Sequence, residues 1–181
     1  MATGTRPRKL DLPGFNDPRV VGYADVLSGR VEVGRRVAII GAGGIGIDTA
    51  LFLSHLPEDF AETWGIDKTL KSPGALRASK KSLSERKITL MQRKSGKIGQ
   101  SLGKTTSWIH RLTLEKRGVT FLTGVEYSRL DKTGLWYKQG GKDKVLEVDH
   151  VVVCAGQLVE NSLLKGLQMP QDKIHVIGGA L

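Results

Sequence analysis

A glycine pattern is the part of this sequence with the clearest chemical use. The pattern G-x-G-x-x-G occupies the six positions Gly41, Ala42, Gly43, Gly44, Ile45 and Gly46. In such a pattern the first glycine permits a tight turn, the second lets the backbone approach a pyrophosphate, and the third lets a helix pack closely on a strand. Free N–H groups at the start of that helix attract the same anion. The spacing therefore predicts a turn that binds the pyrophosphate of a dinucleotide.

The residues on either side of the glycines must form a strand and a helix for this interpretation to hold. A β-branched run over residues 36–40 precedes the pattern, and residues 45–55 place apolar side chains at helical spacing. The glycine pattern alone is weak, whereas its place between a strand and a helix gives it meaning. Asp48, in the opening turns of the helix, is explained by the positive end of the helix dipole. We therefore expect a strand, a glycine turn and a helix over residues 36–55.

The end of the second strand decides which dinucleotide such a site accepts. An acid there accepts hydrogen bonds from the adenine ribose of NAD, whereas basic residues meet the 2′-phosphate of NADP. Asp67 lies about twenty residues after Gly46, the usual distance for that acid, but in a stretch without strand character. Residues 87–92 form the strand pattern, and it ends at Arg93 and Lys94, which can hold a phosphate through charge-assisted hydrogen bonds. The sequence therefore favours NADPH, with solvated strand-end charges as the alternative.

The positive charge of the chain is concentrated in one stretch. The formal net charge is +10, and residues 68–104 hold eleven lysines and arginines against one acid, Glu85. Such an excess indicates an anionic partner, and the alternatives to a dinucleotide are a nucleic acid and CoA. Nucleic acid is disfavoured, because the stretch contains no aromatic residue to stack on bases. Residues 103–106 look like the end of a P-loop, but Ile98 stands where that motif needs its first glycine.

Composition limits the class of protein. The chain has 181 residues, 39% of them apolar and 25% charged, which is typical of one globular domain. Its one cysteine, Cys154, lies in the apolar run of residues 151–155, so we expect a buried, inert thiol and neither a disulfide framework nor a metal cluster. No apolar run reaches the roughly 18 residues of a membrane span, and no signal peptide opens the chain. These features predict a cytoplasmic protein without a membrane partner.

The other segments complete an α/β pattern. Residues 1–34 carry turn signals and predict a linker that has at most one short helical turn, near residues 23–27, and cannot build a core. The later segments predict a basic inserted loop at 57–86, a helix at 104–116, a strand at 119–122, an antiparallel meander at 124–149 and a strand at 151–155. Trp108, at helical spacing with Leu112, is predicted to lie in the core.

Four segments of the chain together resemble bacterial NADPH-dependent 2,4-dienoyl-CoA reductase and its trimethylamine-dehydrogenase-like relatives. The segments are residues 38–50, 92–94, 103–111 and 153–157. The resemblance runs nearly from end to end. The glycine pattern is shared by all flavoproteins with two dinucleotide sites, whereas the Gln-Arg-Lys and Gly-Lys-Thr-Thr segments are more particular to this family.

The resemblance implies an α/β fold of the Rossmann-like, NAD(P)-binding kind. It is a three-layer ββα sandwich, in which a parallel sheet carries helices on one face and the antiparallel meander on the other. The NAD(P)-binding domain would span residues 35–157, with residues 57–86 inserted in it. Residues 1–34 would be the end of an FAD-domain segment, and residues 158–181 would return toward that FAD domain.

The resemblance also implies cofactors and roles for residues. The glycine turn would hold the pyrophosphate, Arg93 and Lys94 the 2′-phosphate of NADP(H), and Ala155 and Gly156 would form a second backbone approach, with Asp48 beside the nicotinamide. FAD, FMN and an iron–sulfur cluster are implied only for a full-length enzyme. There the FAD domain and a flavin barrel of the same chain would be the partners of this part. We expect this chain to bind a dinucleotide and to catalyse nothing on its own.

Overall fold

The computed structural model describes residues 1–100, 102–167, 170 and 173–181. The helices are α1 (Tyr23–Leu27), α2 (Gly44–Leu53), α3 (Phe60–Trp64) and α4 (Ser107–Lys116). The strands are β1 (Thr5–Pro7), β2 (Val20–Gly22), β3 (Arg36–Ile40), β4 (Lys87–Gln92), β5 (Thr120–Thr123), β6 (Val125–Asp131), β7 (Gly134–Gln139), β8 (Lys142–Leu146), β9 (His150–Val153) and β10 (Gln157–Val159). No helix among these residues is long and apolar enough to cross a membrane.

A five-stranded parallel sheet forms the centre of the fold, in the order β2-β9-β3-β4-β5. The strands β6, β7 and β8 form a separate antiparallel sheet, which is the predicted meander. Helices cover one face of the parallel sheet and the meander covers the other. The predicted α/β class and its three-layer arrangement are therefore confirmed.

Alternating side chains of the central strands build two separate cores, because successive residues of a strand point to opposite faces. In β3, Val37 and Ile39 pack in the cluster that contains helix residues such as Ile47 of α2. Ala38 and Ile40 pack in the other cluster, against the meander. Covering both faces requires a strand that is apolar throughout, which explains the unbroken apolar runs in β3 and β9.

The prediction for residues 1–34 is wrong in one respect, since this segment does contribute to the core. Its strand β2 forms the edge of the parallel sheet beside β9, and Phe15 and Val26 are buried. The Leu130 N–H donates to the Pro13 carbonyl, which joins the segment to the meander. A three-residue strand gives no periodic signal, and its partner β9 lies over a hundred residues away in the sequence. The predicted helical turn, by contrast, is present as α1.

The inserted loop of residues 57–86 has more structure than the sequence predicts. It contains α3, and Asp59 caps this short helix by accepting a hydrogen bond from the Glu62 N–H. Farther along the loop, the Asp67 carboxylate accepts hydrogen bonds from the backbone N–H groups of Thr69, Lys71 and Ser72. The segment is therefore ordered by hydrogen bonds and caps rather than by a large apolar core, which is why its composition resembles that of a loop.

The interpretation of Trp108 as a core residue is wrong, because its side chain is 53% exposed on α4. Helical spacing places Trp108 and Leu112 on one side of the helix but does not say which side meets the sheet. Leu114 is the fully buried residue of this helix. The choice between the two faces depends on how α4 docks against α2.

Replacement of Phe15 by alanine tests the contribution of the first segment to the core. Phe15 is 8% exposed in the core beneath the meander, so Phe15→Ala should lower the free energy of unfolding by about 3–5 kcal/mol. Urea denaturation followed by circular dichroism measures this loss. Phe52 is 53% exposed, so Phe52→Ala is the matched control and should change stability by less than about 1 kcal/mol. Equal losses in the two variants would contradict the role of Phe15.

Candidate dinucleotide-binding site

A cleft of about 570 Å³ opens where β3, β4 and β9 end. Carboxyl ends of parallel strands meet at one edge of the sheet, so segments that are distant in sequence come together there. The residues that line it are Ile40, Gly41, Ala42, Gly43, Gly44, Ile45, Gln92, Arg93, Lys94, Tyr127, Cys154, Ala155, Gly156 and Gln157. The cleft thus contains nine of the eleven residues that the sequence and the resemblance single out.

Two of the three glycines of the pattern serve the packing of the turn. Gly41 has φ +104°, and a Cβ atom built on it would lie 2.4 Å from the Cys154 carbonyl oxygen. A Cβ atom on Gly46 would lie 1.8 Å from the Gly41 carbonyl oxygen. Neither position has room for a side chain, so α2 can begin directly against the end of β3.

The remaining glycine of the pattern, Gly43, faces open space. Gly43 has an ordinary φ of −77°, and a Cβ atom there would have no neighbour within 4 Å. Gly43 is the N-cap of α2, where no side chain caps the helix and no acidic residue occupies the first turn. The first N–H groups of a helix have no partner within it, so this helix start offers donors and a positive dipole to an anion.

Two cationic residues also line the cleft. Arg93 and Lys94 follow the last residue of β4 and are exposed. No ion pair among the described residues involves either of them. Both positive groups are therefore available to a ligand, and they line the same cleft as the helix start.

The residues that follow β9 line the cleft as well. The Cys154 N–H donates to the Ile40 carbonyl at 2.8 Å, which carries the sheet pairing to the edge of the glycine turn. Gly156 has φ +95°, and a Cβ atom on it would meet nothing within 4 Å. The space beside Gly156 is thus open, and the role of Ala155 and Gly156 as a second backbone approach stays a prediction.

The buried thiol of Cys154 matches the prediction of an inert cysteine. Its side chain is 8% exposed, and Sγ lies 3.7 Å from Oγ1 of Thr49 in α2. Burial raises the pKa of Cys154 to about 11, because removal from water disfavours the thiolate. The weak hydrogen bond between Sγ of Cys154 and Oγ1 of Thr49 only partly offsets this effect.

Tyr127 of β6 is a member of the cleft that the sequence does not reveal. Its hydroxyl is buried and has no hydrogen-bond partner among the described residues. Burial raises the pKa of Tyr127, while the nearby Arg93 charge acts in the opposite direction. Gln157 is a second such member, and it is fixed by hydrogen bonds with Thr5 and Tyr23. Both enter the cleft through tertiary packing, and no local pattern identifies them.

Two predicted site residues lie outside the lining of the cleft. Gly46 is buried beneath the turn, where its role is packing. Asp48 is exposed on α2, so its place beside a nicotinamide stays a prediction. Residues 103–106 precede α4 and also do not reach the cleft.

The acid that competes as a ribose acceptor is engaged elsewhere. Asp67 is 7% exposed, and its carboxylate holds the loop that follows it. Hydrogen bonds from Thr69 and Ser72 keep the pKa of Asp67 far below its ordinary value. The second strand of the unit is β4, which pairs with β3, and it ends without an acid.

The fold and the cleft define a dinucleotide-binding domain of the flavoprotein type, with its glycine turn at the edge of a parallel sheet and a meander behind it. The sequence matches the pyridine nucleotide-disulphide oxidoreductase family over residues 1–178. The chain therefore belongs to that family. It contains one cysteine, so it supplies no pair of redox-active thiols of its own.

Two curated relatives show how this chain relates to longer proteins. A metal reductase of Desulforamulus reducens is 29% identical over 189 residues, which cover 100% of this chain and 27% of that protein. A dihydrolipoyl dehydrogenase of Mycoplasma pneumoniae is 26% identical over 176 residues, which cover 96% of this chain and 32% of that protein. The chain thus spans about a quarter to a third of the length of these relatives.

Solved structures share the fold at low sequence identity. A 2-naphthoyl-CoA reductase in complex with 2-naphthoyl-CoA has a TM-score of 0.69 and 22% identity, over 91% of this chain and 21% of the other. An engineered water-forming NADPH oxidase bound to NADPH has a TM-score of 0.56 and 20% identity, over 92% of this chain and 32% of the other. The water-forming NADH oxidase of Lactobacillus brevis bound to NADH gives the same values. These likenesses concern the fold alone.

The different surroundings of the glycines give a direct test of the cleft. Gly43→Val should leave the chain folded and weaken dinucleotide binding at least about a hundredfold, because the side chain enters the space where the pyrophosphate would meet the backbone. Calorimetric titration measures binding, and circular dichroism confirms folding. Gly103→Val is the control, because a Cβ atom on Gly103 would make only an ordinary contact, 3.8 Å from Oγ1 of Thr106, and Gly103 lies outside the cleft. Undiminished binding by a folded Gly43→Val chain would contradict the assignment of the cleft.

The reactivity of Cys154 tests its burial. With the pKa of its thiol at about 11, about one molecule in a thousand carries the thiolate at pH 8. Alkylation by iodoacetamide at pH 8 should therefore be at least about tenfold slower in the native chain than in urea. The native rate should rise about tenfold per pH unit from pH 8 to 10, as thiolate forms. Rapid native labelling at pH 8 would show an exposed thiol.

Proposed function

We propose that this chain is the NADPH-binding part of a flavin-dependent oxidoreductase similar to 2,4-dienoyl-CoA reductase. One observation carries the proposal. A single cleft joins an uncapped helix start behind a glycine turn with a pair of exposed cations, Arg93 and Lys94. The first feature suits a pyrophosphate and the second suits an additional phosphate.

The preference for NADPH over NADH rests on the residues at the end of β4. The fold does not decide between the cofactors, since structures of this fold contain NADPH in one case and NADH in another. At the end of β4 this chain has Arg93 and Lys94 and no acid, while Asp67 is used within its own loop. A 2′-phosphate would find two cations there, and no carboxylate would accept a ribose hydroxyl.

The proposed place of this part within a longer chain has support from the pairing of its first and last segments. Strand β1 pairs with β10, the Glu160 N–H donates to the Gly4 carbonyl, and the Ile177 N–H donates to the Met1 carbonyl. A domain inserted in another must return the chain to the point at which it left. We therefore propose that residues 35–157 form an NAD(P)-binding domain, that β2 and the buried side chains of the first segment complete its core, and that the paired ends of the segments 1–34 and 158–181 lead to an FAD domain.

The redox chemistry of the full-length enzyme would be supplied by its cofactors. NADPH bound to this part would be the hydride donor for FAD. An iron–sulfur cluster and FMN elsewhere in the enzyme would serve the reduction of a dienoyl-CoA. The residues of this chain would bind and orient NADPH. Gly43 and Gly44 would leave the backbone open to the pyrophosphate, and Gly156 would do so from the end of β9. The chain by itself should bind the dinucleotide without turnover.

Removal of the two cations at the end of β4 tests cofactor preference. The double substitution Arg93→Ala, Lys94→Ala should weaken NADPH about tenfold to a few hundredfold. Hydrogen bonds to charged groups contribute about 1.5–3 kcal/mol each, and exposure of both residues to water and salt reduces the sum. NADH lacks the 2′-phosphate and should change by less than about threefold. Calorimetric titration of both cofactors measures the difference. Added salt should narrow the gap in the wild-type chain, since ions screen exposed charges.

A control variant separates this local effect from that of net charge. Lys142→Ala, Lys144→Ala removes the same charge from β8, whose lysines lie outside the cleft, and should leave both affinities unchanged. Equal weakening of NADPH and NADH in the Arg93, Lys94 variant would contradict the proposal. CoA and an oligonucleotide belong in the same titration. Tight, unselective and steeply salt-dependent binding of the oligonucleotide would favour a nucleic-acid-binding module instead.

A further inference from the structure

Gln92, the last residue of β4, makes an unusual pair of hydrogen bonds. Its side-chain amide donates to the Lys94 carbonyl at 3.0 Å and to the Gly96 carbonyl at 2.6 Å. Both acceptor carbonyls lie in the loop that directly follows the strand. A strand-end side chain thus closes the loop that carries Arg93 and Lys94.

This loop, residues 93–97, is fixed at both ends but has few contacts between them. It begins at β4 and ends at Ile98, which is buried with 4% of its surface exposed. The Gly124 N–H also donates to the Lys94 carbonyl, at 3.1 Å. The Gly96 carbonyl has the Gln92 amide as its partner. Gln92 therefore supplies a side-chain hydrogen bond that reaches the middle of the loop.

The loop carries three exposed cations on five residues, namely Arg93, Lys94 and Lys97. Like charges this close repel one another, so an unconstrained loop would spread them apart. A second cleft of about 480 Å³, lined partly by Lys97, shares Gln92 and Lys94 with the main cleft. A ligand group that reaches from the main cleft into this region would meet all three cations.

We propose that Gln92 is a positioning residue that sets the preference for a 2′-phosphate, by holding the loop of residues 93–97 closed before the ligand arrives. The inference rests on the proposed function and names the residue that makes its phosphate contact effective. A loop already held in place loses less conformational entropy on binding. The contribution of Gln92 should therefore appear only with ligands that carry the 2′-phosphate.

The chemistry of the Gln92 side chain explains why glutamine suits this place. Its amide supplies two N–H donors for two carbonyls, which a carboxylate cannot do. An ionised glutamate carboxylate would face both carbonyl oxygens and would have no hydrogen-bond donor to offer them. It would also place a negative charge beside the phosphate of the ligand. Methionine has nearly the same length and no charge, so it removes the hydrogen bonds alone.

Titration of the whole chain with four ligands tests the inference. The ligands are NADPH, NADH, adenosine 2′,5′-bisphosphate and AMP. In Gln92→Met, NADPH and the bisphosphate should bind about fivefold to thirtyfold more weakly, while NADH and AMP should change by less than about twofold. Gln92→Glu should weaken the two 2′-phosphate ligands further. It also serves as the second variant should Gln92→Met unfold, as thermal melting would show.

Gln100→Met is the matched control. Gln100 lines the same second cleft and its side chain lies against Gly96, but it makes none of the hydrogen bonds that hold the loop. This variant should bind all four ligands as the wild-type chain does. Selective loss of the 2′-phosphate ligands in the Gln92 variants, with none in Gln100→Met, supports the inference.

Two outcomes would overturn the inference, and they differ in what else they contradict. If the wild-type chain prefers NADPH and the Gln92 variants keep the same ratio of NADPH to NADH affinity, Gln92 has no positioning role and the proposed function stands. If the wild-type chain binds both cofactors equally, or neither, the proposed function and the role of Gln92 fail together.

Discussion

The approach of α2 to the end of β3 is the contact on which the site depends. A Cβ atom on Gly46 would lie 1.8 Å from the Gly41 carbonyl oxygen, and one on Gly41 would lie 2.4 Å from the Cys154 carbonyl oxygen. Because neither glycine has a side chain, the backbones of β3, α2 and β9 can approach one another closely. Because the backbones meet there, the helix start points into the cleft, and the open backbone at Gly43 lies beside it.

The cleft combines two kinds of positive charge that differ in strength and in mobility. The helix start offers N–H donors and a dipole that are fixed by the fold, which suits a pyrophosphate in a constant position. Arg93 and Lys94 offer full charges on an exposed loop, where water and salt weaken their attraction for an anion. The two hydrogen bonds of Gln92 to the loop carbonyls address that weakness. A fixed helix start and the loop that Gln92 holds thus line one cleft.

The three-layer arrangement of the fold connects the cleft to the rest of the chain. The alternation of β3 between a helix-facing and a meander-facing core places α2 on one side of the sheet and Tyr127 on the other. The first segment completes the arrangement, since β2 extends the sheet and Phe15 fills the core under the meander. The pairing of β1 with β10 brings Gln157 to the cleft edge, where it also binds Tyr23. Distant segments therefore support the cleft through backbone pairing.

The sequence by itself determined what depends on neighbours along the chain. The strand, glycine turn and helix around Gly41, the strand that ends at Arg93, the meander and the buried Cys154 follow from local spacing and composition. Tertiary structure alone decided which residues meet across the fold. The short strand β2 joins the sheet because β9 offers it an edge. Trp108 is exposed because α4 packs against the rest of the fold through another face. Tyr127 lines the cleft because the meander packs against the parallel sheet. Pairing and docking depend on surfaces far apart in sequence, so no local pattern encodes them.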